Sequence, residues 1–126
     1  MNIGGLRSNI GELSNLCHEI KPAIVVVVET FLDDTVNDGA DCITFPGYSL
    51  SCRRDRPNTT GGGIAVYCLE GVAIYHEAEL DLADFELMWF TVALRTQKLL
   101  CAAVYRPPNN NSDIIDYLDS STFPKL

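Results

Sequence analysis

The strongest limit on what this chain can become is "AIVVVV", residues 23 to 28, an unbroken apolar run with four consecutive valines. β-Branched side chains are stiff at χ1 and favour extended backbone, and a run without polar alternation offers no face to water. The run therefore predicts a strand covered on both faces, of the parallel or central type, in a layered α/β domain. Glu29 follows it directly. A carboxylate at the C-terminal end of a buried strand stands where open α/β sheets build their sites, projecting into a crevice instead of the core.

Upstream of that strand, Ile10, Leu13, Leu16, Cys17 and Ile20 share one helical face. Asn9 and Glu12 have the spacing of a capping box, and Lys21-Pro22 stops the helix. Downstream, after the polar loop "DDTVNDGAD", strand-like segments recur at 48–53, 63–69, 72–76, 87–94 and 99–106. Tight connections at Glu70-Gly71 and Thr96-Gln97 favour antiparallel neighbours, so a mixed, mostly antiparallel sheet with a covering helix is expected. "SDIIDYLDS", beginning at Ser112, reads as a second helix. The whole chain, 126 residues and 47% hydrophobic, suits one compact domain. No apolar run reaches the roughly 18 to 20 residues of a membrane helix, and "MNIGGLRSN" lacks a signal peptide's apolar region. An intracellular protein, nuclear or cytoplasmic, is the expectation.

Five cysteines form no CxxC pair, which predicts reduced and mostly buried thiols in place of a zinc or redox site. The formal net charge of -8 argues against holding nucleic acid by bulk electrostatics, so phosphate chemistry would need metal ions or a local basic patch. Arg53, Arg54 and Arg56 in "CRRDRP" are such a patch, open to the alternative of a solvated loop paired with Asp55. The acidic stretch "EAELDLADFE", holding Glu77, Glu79, Asp81, Asp84 and Glu86, reads as a solvated connection more readily than as a metal site. "TGGG" at 60–63 precedes a strand and lacks the Lys-Ser/Thr ending of a phosphate loop, so it reads as a tight turn. His18 and His76 read as structural, neither having an evident Asp partner.

In order along the chain, "NIGGLRSN", "AIVVVVET", "SCRRDR", "TGGGIAVY" and "AVYRPPNNN" resemble the endonuclease/exonuclease/phosphatase, or DNase I-like, family. More narrowly they are similar to the apurinic-type endonuclease domain of non-LTR, LINE-type retrotransposons. The resemblance implies a four-layer α/β/β/α sandwich, of which residues 1–126 would be the N-terminal half, truncated at both ends. It implies that Glu29 is the principal Mg2+ ligand, with Mn2+ as a substitute ion. By the same comparison Asn2 sits beside the metal and Tyr105 approaches the scissile phosphate, while Arg106 in "VYRPP" joins the other arginines as a nucleic-acid contact. Taken without the family, Asn2 reads more readily as a turn residue before Gly4 and Gly5, and Tyr105 equally well as a core-edge aromatic.

The implied activity is Mg2+-dependent phosphodiester cleavage of DNA, on a parent polyprotein that also carries a reverse transcriptase. The family's later Asp motifs and its "SDH" histidine have no match after "YRPP", so the isolated chain is expected to be inactive and to self-associate. A non-catalytic binding or partner-pairing module, and an inositol-phosphate phosphatase of the same superfamily, are the competing readings.

Overall fold

The computed structural model describes residues 1–57, 61–82 and 86–105. One α-helix and six strands follow one another: α1 (Ile10–Ile20), β1 (Ile24–Val28), β2 (Tyr48–Arg54), β3 (Ile64–Leu69), β4 (Ala73–His76), β5 (Leu87–Ala93) and β6 (Lys98–Val104), with short 3-10 turns at Arg7–Asn9, Asp41–Ile43 and Ala78–Leu80. The segment read as a second helix lies outside the described residues.

α1 buries Leu13 and Cys17, but Ile20 is exposed, so its apolar face ends a turn early. The expected capping box is absent: Asn9 occupies the N-cap position without bonding the helix. Its Nδ2 instead donates to the carbonyls of Ile3 and Gly5, each at 2.9 Å. Gly4 and Gly5 have positive φ, so their turn leaves carbonyls without a regular ladder, and the two N–H bonds of an amide are suited to gathering them. At the other end Lys21 adopts a left-handed conformation and returns its N–H to Cys17, after which Pro22 cannot continue the helix.

The strands form two antiparallel three-stranded sheets, ordered β1-β3-β2 and β4-β5-β6. Among the described residues, parallel pairing is confined to the bridge between Asn2 and Val28 at the β1 edge, so the parallel partner of β1 there is that short N-terminal segment. Thr96-Gln97 closes the β5–β6 hairpin as expected, with Leu94 N–H donating to Gln97. Glu70-Gly71 does not join paired neighbours. Both edges of β3 are already taken by β1 and β2, and the turn, with Gly71 at φ 93°, carries the chain across to the second sheet.

Three layers result. Leu13, Cys17, Val25, Val27, Ala65 and Tyr67 fill the space between α1 and the first sheet, while Ile64, Val66, Met88, Phe90 and Val92 fill the space between the sheets. Leu87 and Trp89 lie with Leu80 on the outer face of the second sheet. In a chain expected to self-associate, β3 is nonetheless covered on both faces by the chain's own residues, because the first sheet lies between α1 and the second sheet. β6, at an edge, is the strand left more open, with Lys98, Leu99 and Ala102 exposed.

All five cysteines are free thiols. Burial raises Cys17 above the usual thiol range, and burial, with the nearby Asp81 carboxylate, pushes Cys52 up to about 12, so neither is a ready nucleophile. No helix among the described residues is long and apolar enough to cross a membrane. Tyr67, buried against Phe45, donates its hydroxyl to the Ile43 carbonyl at 2.6 Å. Tyr67→Phe should therefore lower unfolding free energy by about 1–2 kcal/mol, read from urea denaturation, because it leaves a buried carbonyl unpaired without opening a cavity.

Candidate active site at the end of the first strand

Immediately after β1 the backbone does something costly. Glu29 has φ 59° and Phe31 has φ 57°, both in the region that L-residues avoid at roughly 1–2 kcal/mol each. Two glycine segments hold the conformation from either side. Glu29 N–H donates to Gly63 and Phe31 N–H to Gly62, each at 2.9 Å, while Gly5 donates to the Glu29 carbonyl at 2.8 Å and Leu6 to that of Thr30 at 2.9 Å. Thr30 is thereby buried, with no hydrogen-bond partner for Oγ1 among the described residues. It lies so close to Gly63 that a Cβ there would stand 2.3 Å from Oγ1. Gly62 and Gly63, both at positive φ, make the tight entry into β3 and also clamp the segment carrying Glu29.

The Glu29 side chain is half-buried and points to the next element of the site: its Oε1 accepts a hydrogen bond from the Tyr105 hydroxyl, across 76 residues of sequence. Tyr105 follows β6, and its N–H donates to the Glu86 carbonyl at 2.9 Å. Its phenol is held above the ordinary tyrosine range, first by the hydrogen bond to Glu29, then by burial and the neighbouring carboxylate charges, so it stays a proton donor at neutral pH. Asn2 is exposed and pairs with Val28, one residue before Glu29. Asn2, Glu29 and Tyr105 therefore gather at one end of the two sheets, though 103 positions separate the first from the last.

Glu86, read in sequence only as part of an acidic connection, belongs to this end too. Its carboxylate takes both Nε and Nη2 of Arg56 at 3.0 Å. The space for this pair depends on Gly62, where a Cβ would stand 2.5 Å from Glu86 and 2.6 Å from Arg56. The signal that could have found Glu86 is its place directly before a buried strand, the mirror of Glu29 directly after one.

Arg53 and Arg54 do not join the site. Arg53 is spent on the carbonyls of Val36 and Asp33 and on Asp38 and Asp55, and Arg54 bridges to the carbonyls of Leu87 and Leu82. Arg106 lies outside the described residues. His76 does have an acidic partner, Asp81 at 2.6 Å, which in turn accepts the Trp89 N–H. His76 ends β4 and Asp81 follows the 3-10 turn after it; β4 packs beside β2, at the sandwich edge away from β1 and β6. Five residues separate His76 from Asp81, across a turn that periodicity does not reveal. A cavity of about 340 Å³ near the C-terminal end of α1, lined by His18, Lys21 and Tyr48 among others, is at the opposite end of β1 from Glu29.

The donors at this end suit a hard ion that keeps most of its water. Glu86 is committed to Arg56, and the described residues hold no group of three His, Cys, Asp or Glu side chains able to cage an ion. A single free carboxylate suits Mg2+, which keeps much of its water and binds through one or two carboxylates plus substrate phosphate.

No family model and no curated protein sequence matches the chain. Solved structures do. The endonuclease domain of TRAS1, a telomere-specific non-LTR retrotransposon, is similar with a TM-score of 0.66 at 12% identity, over 91% of this chain and 48% of that one. The fold is DNase I-like. The AP endonuclease LMAP from Leishmania major is similar with a TM-score of 0.62 at 17% identity, over 95% of this chain and 43% of its own. The chain spans about half the length of these DNase I-like structures. At such identities the likeness is one of fold: two facing sheets with a helix outside, as the sequence resemblance implied.

Proposed function

We propose that this chain forms the metal-binding part of a DNase I-like endonuclease domain that cleaves phosphodiester bonds in DNA. The hydrogen bond from Tyr105 to Glu29 carries the reading, because it brings together, from the ends of two different strands, a hard oxygen ligand and a hydroxyl donor. A core-edge tyrosine has no need of a strained carboxylate as its partner. The two structures similar in fold, a retrotransposon endonuclease domain and an AP endonuclease, agree with it.

In this reading Glu29, with Asn2 beside it, holds Mg2+, which when bound neutralises charge on the phosphate oxygens. Tyr105 donates its hydroxyl hydrogen bond to a substrate phosphate oxygen once the Glu29 carboxylate is engaged elsewhere, and Asn2 offers an amide N–H to the same group. Arg56 balances Glu86, so that Glu29 remains the carboxylate free to bind. The chain's two histidines, on α1 and β4, are remote from Glu29, so a general base must come from residues outside this set. Its absence alone costs on the order of 10²- to 10⁴-fold. The parent protein is read as a retrotransposon-type polyprotein with a reverse transcriptase.

Two measurements test this. Mn2+ titration of the chain should broaden backbone NMR signals around Val28–Thr30 and Gly63 selectively, and Glu29→Gln should abolish the effect. Uniform or unchanged broadening would remove the metal assignment. Joined to a complementary half-domain, the Glu29→Ala variant should nick plasmid DNA at least about tenfold more slowly than the parent at saturating DNA and Mg2+.

A further inference from the structure

Phe31 is an aromatic side chain in an expensive place. It lies two residues beyond Glu29, has φ 57°, and is 37% exposed although its neighbours Thr30 and Leu32 are fully buried. Its ring is not loose: the edge runs along the Gly5 backbone, where an added Cβ would meet Cδ2 at 3.3 Å, and the Phe31 N–H is fixed to Gly62. A bulky residue in the left-handed region is strained, and strain retained beside a candidate site is more readily explained by a contact to something outside the chain than by folding.

The chain's charge favours such a contact. With a net charge of -8, and with Arg53, Arg54 and Arg56 already bound to carbonyls and carboxylates, exposed Arg7, two residues beyond Gly5, is the guanidinium this loop region keeps for phosphates, and one cation is a weak grip. Nucleic acid held here has to be gripped in part by something other than counterion release, and an aromatic face that stacks on a base is the side-chain chemistry available.

Resting on the nuclease reading, we propose that Phe31 is a stacking platform for a nucleobase of the DNA substrate, positioning the strand whose phosphate lies at Glu29 and Tyr105. It is a binding and positioning residue, and takes no part in bond cleavage.

The test uses the chain itself with a fluorescein-labelled single-stranded oligodeoxynucleotide and an abasic strand of equal length, followed by anisotropy at low salt. The parent should bind the base-bearing strand more tightly than the abasic one. Phe31→Ala should weaken only the former, by about 5- to 150-fold, the equivalent of roughly 1–3 kcal/mol of stacking. Phe31→Trp should keep the affinity, and its new emission should be quenched by the base-bearing strand and not by the abasic one. Leu94→Ala, in the β5–β6 turn at the far end of β6 from Tyr105, should bind like the parent. Binding by the parent that is indifferent to both Phe31 variants and to the bases would overturn the stacking role and leave the nuclease reading standing. Failure of the folded parent and of Phe31→Trp to bind either strand at micromolar concentration would overturn both.

Discussion

Replacing Gly63 with alanine is expected to lower the chain's unfolding free energy by about 3 kcal/mol, a large share of the 5–15 kcal/mol typical of a domain. Two costs add. Gly63 has φ 99°, where a Cβ is strained by roughly 1–2 kcal/mol, and that Cβ would stand 2.3 Å from Thr30 Oγ1. Thr30 cannot retreat, since it is buried and its neighbours on both sides are hydrogen-bonded to the two glycine segments. Forcing them apart costs about another 1–3 kcal/mol, as overpacking does elsewhere. Gly39→Ala is the matched comparison: nothing lies within 4 Å of its added Cβ and its φ is not positive. That variant should be neutral or slightly stabilised. Urea denaturation of the three proteins decides the matter, and equal midpoints for both variants would mean that the Gly63–Thr30 contact does not constrain the site.

The second large effect concerns the space between the sheets. Phe90 is 3% exposed there, on the middle strand of its sheet, and packs with Cys52, Ile64, Val66 and Met88. Phe90→Ala should cost about 3–5 kcal/mol through lost burial and the cavity left behind. Leu99→Ala, on the edge strand β6 and 44% exposed, should change stability by no more than about 0.5 kcal/mol. Similar small losses for both would show that the facing sheets do not close on one another in solution, and would leave apolar sheet faces open for the expected self-association.

Much of the local structure was legible in the sequence, for reasons of short range. The valine run, the helical spacing of Leu13 and Cys17, and the apolar segments around residues 48, 64, 73, 87 and 98 each announce their element through a few consecutive side chains. Extended and helical backbones select side chains by period, and period is a property of neighbours. Candidate site residues were legible only as isolated positions: Glu29 after a buried strand, Asn2 before two glycines, Tyr105 after another strand.

Their meeting was not legible, because it depends on which strands share a sheet. The turn at Glu70-Gly71 has the composition of a hairpin, yet it changes sheets, since β3 has no free edge for β4 to occupy. That one crossing stacks β4, β5 and β6 against the first sheet and so carries Tyr105 to Glu29. The same holds for charge. Arg53, Arg54 and Arg56 are equivalent cations in sequence, but the tertiary structure ties Arg53 to a loop and Arg54 to backbone carbonyls, and leaves Arg56 beside the site on Glu86. By itself the sequence determined the strands, the helix and the carboxylate that ends the first strand, since each rests on contacts between near neighbours. Only the tertiary structure decided which hydroxyl meets that carboxylate, which arginine stands beside it, and which glycines hold it in a strained backbone, because those contacts join residues far apart along the chain.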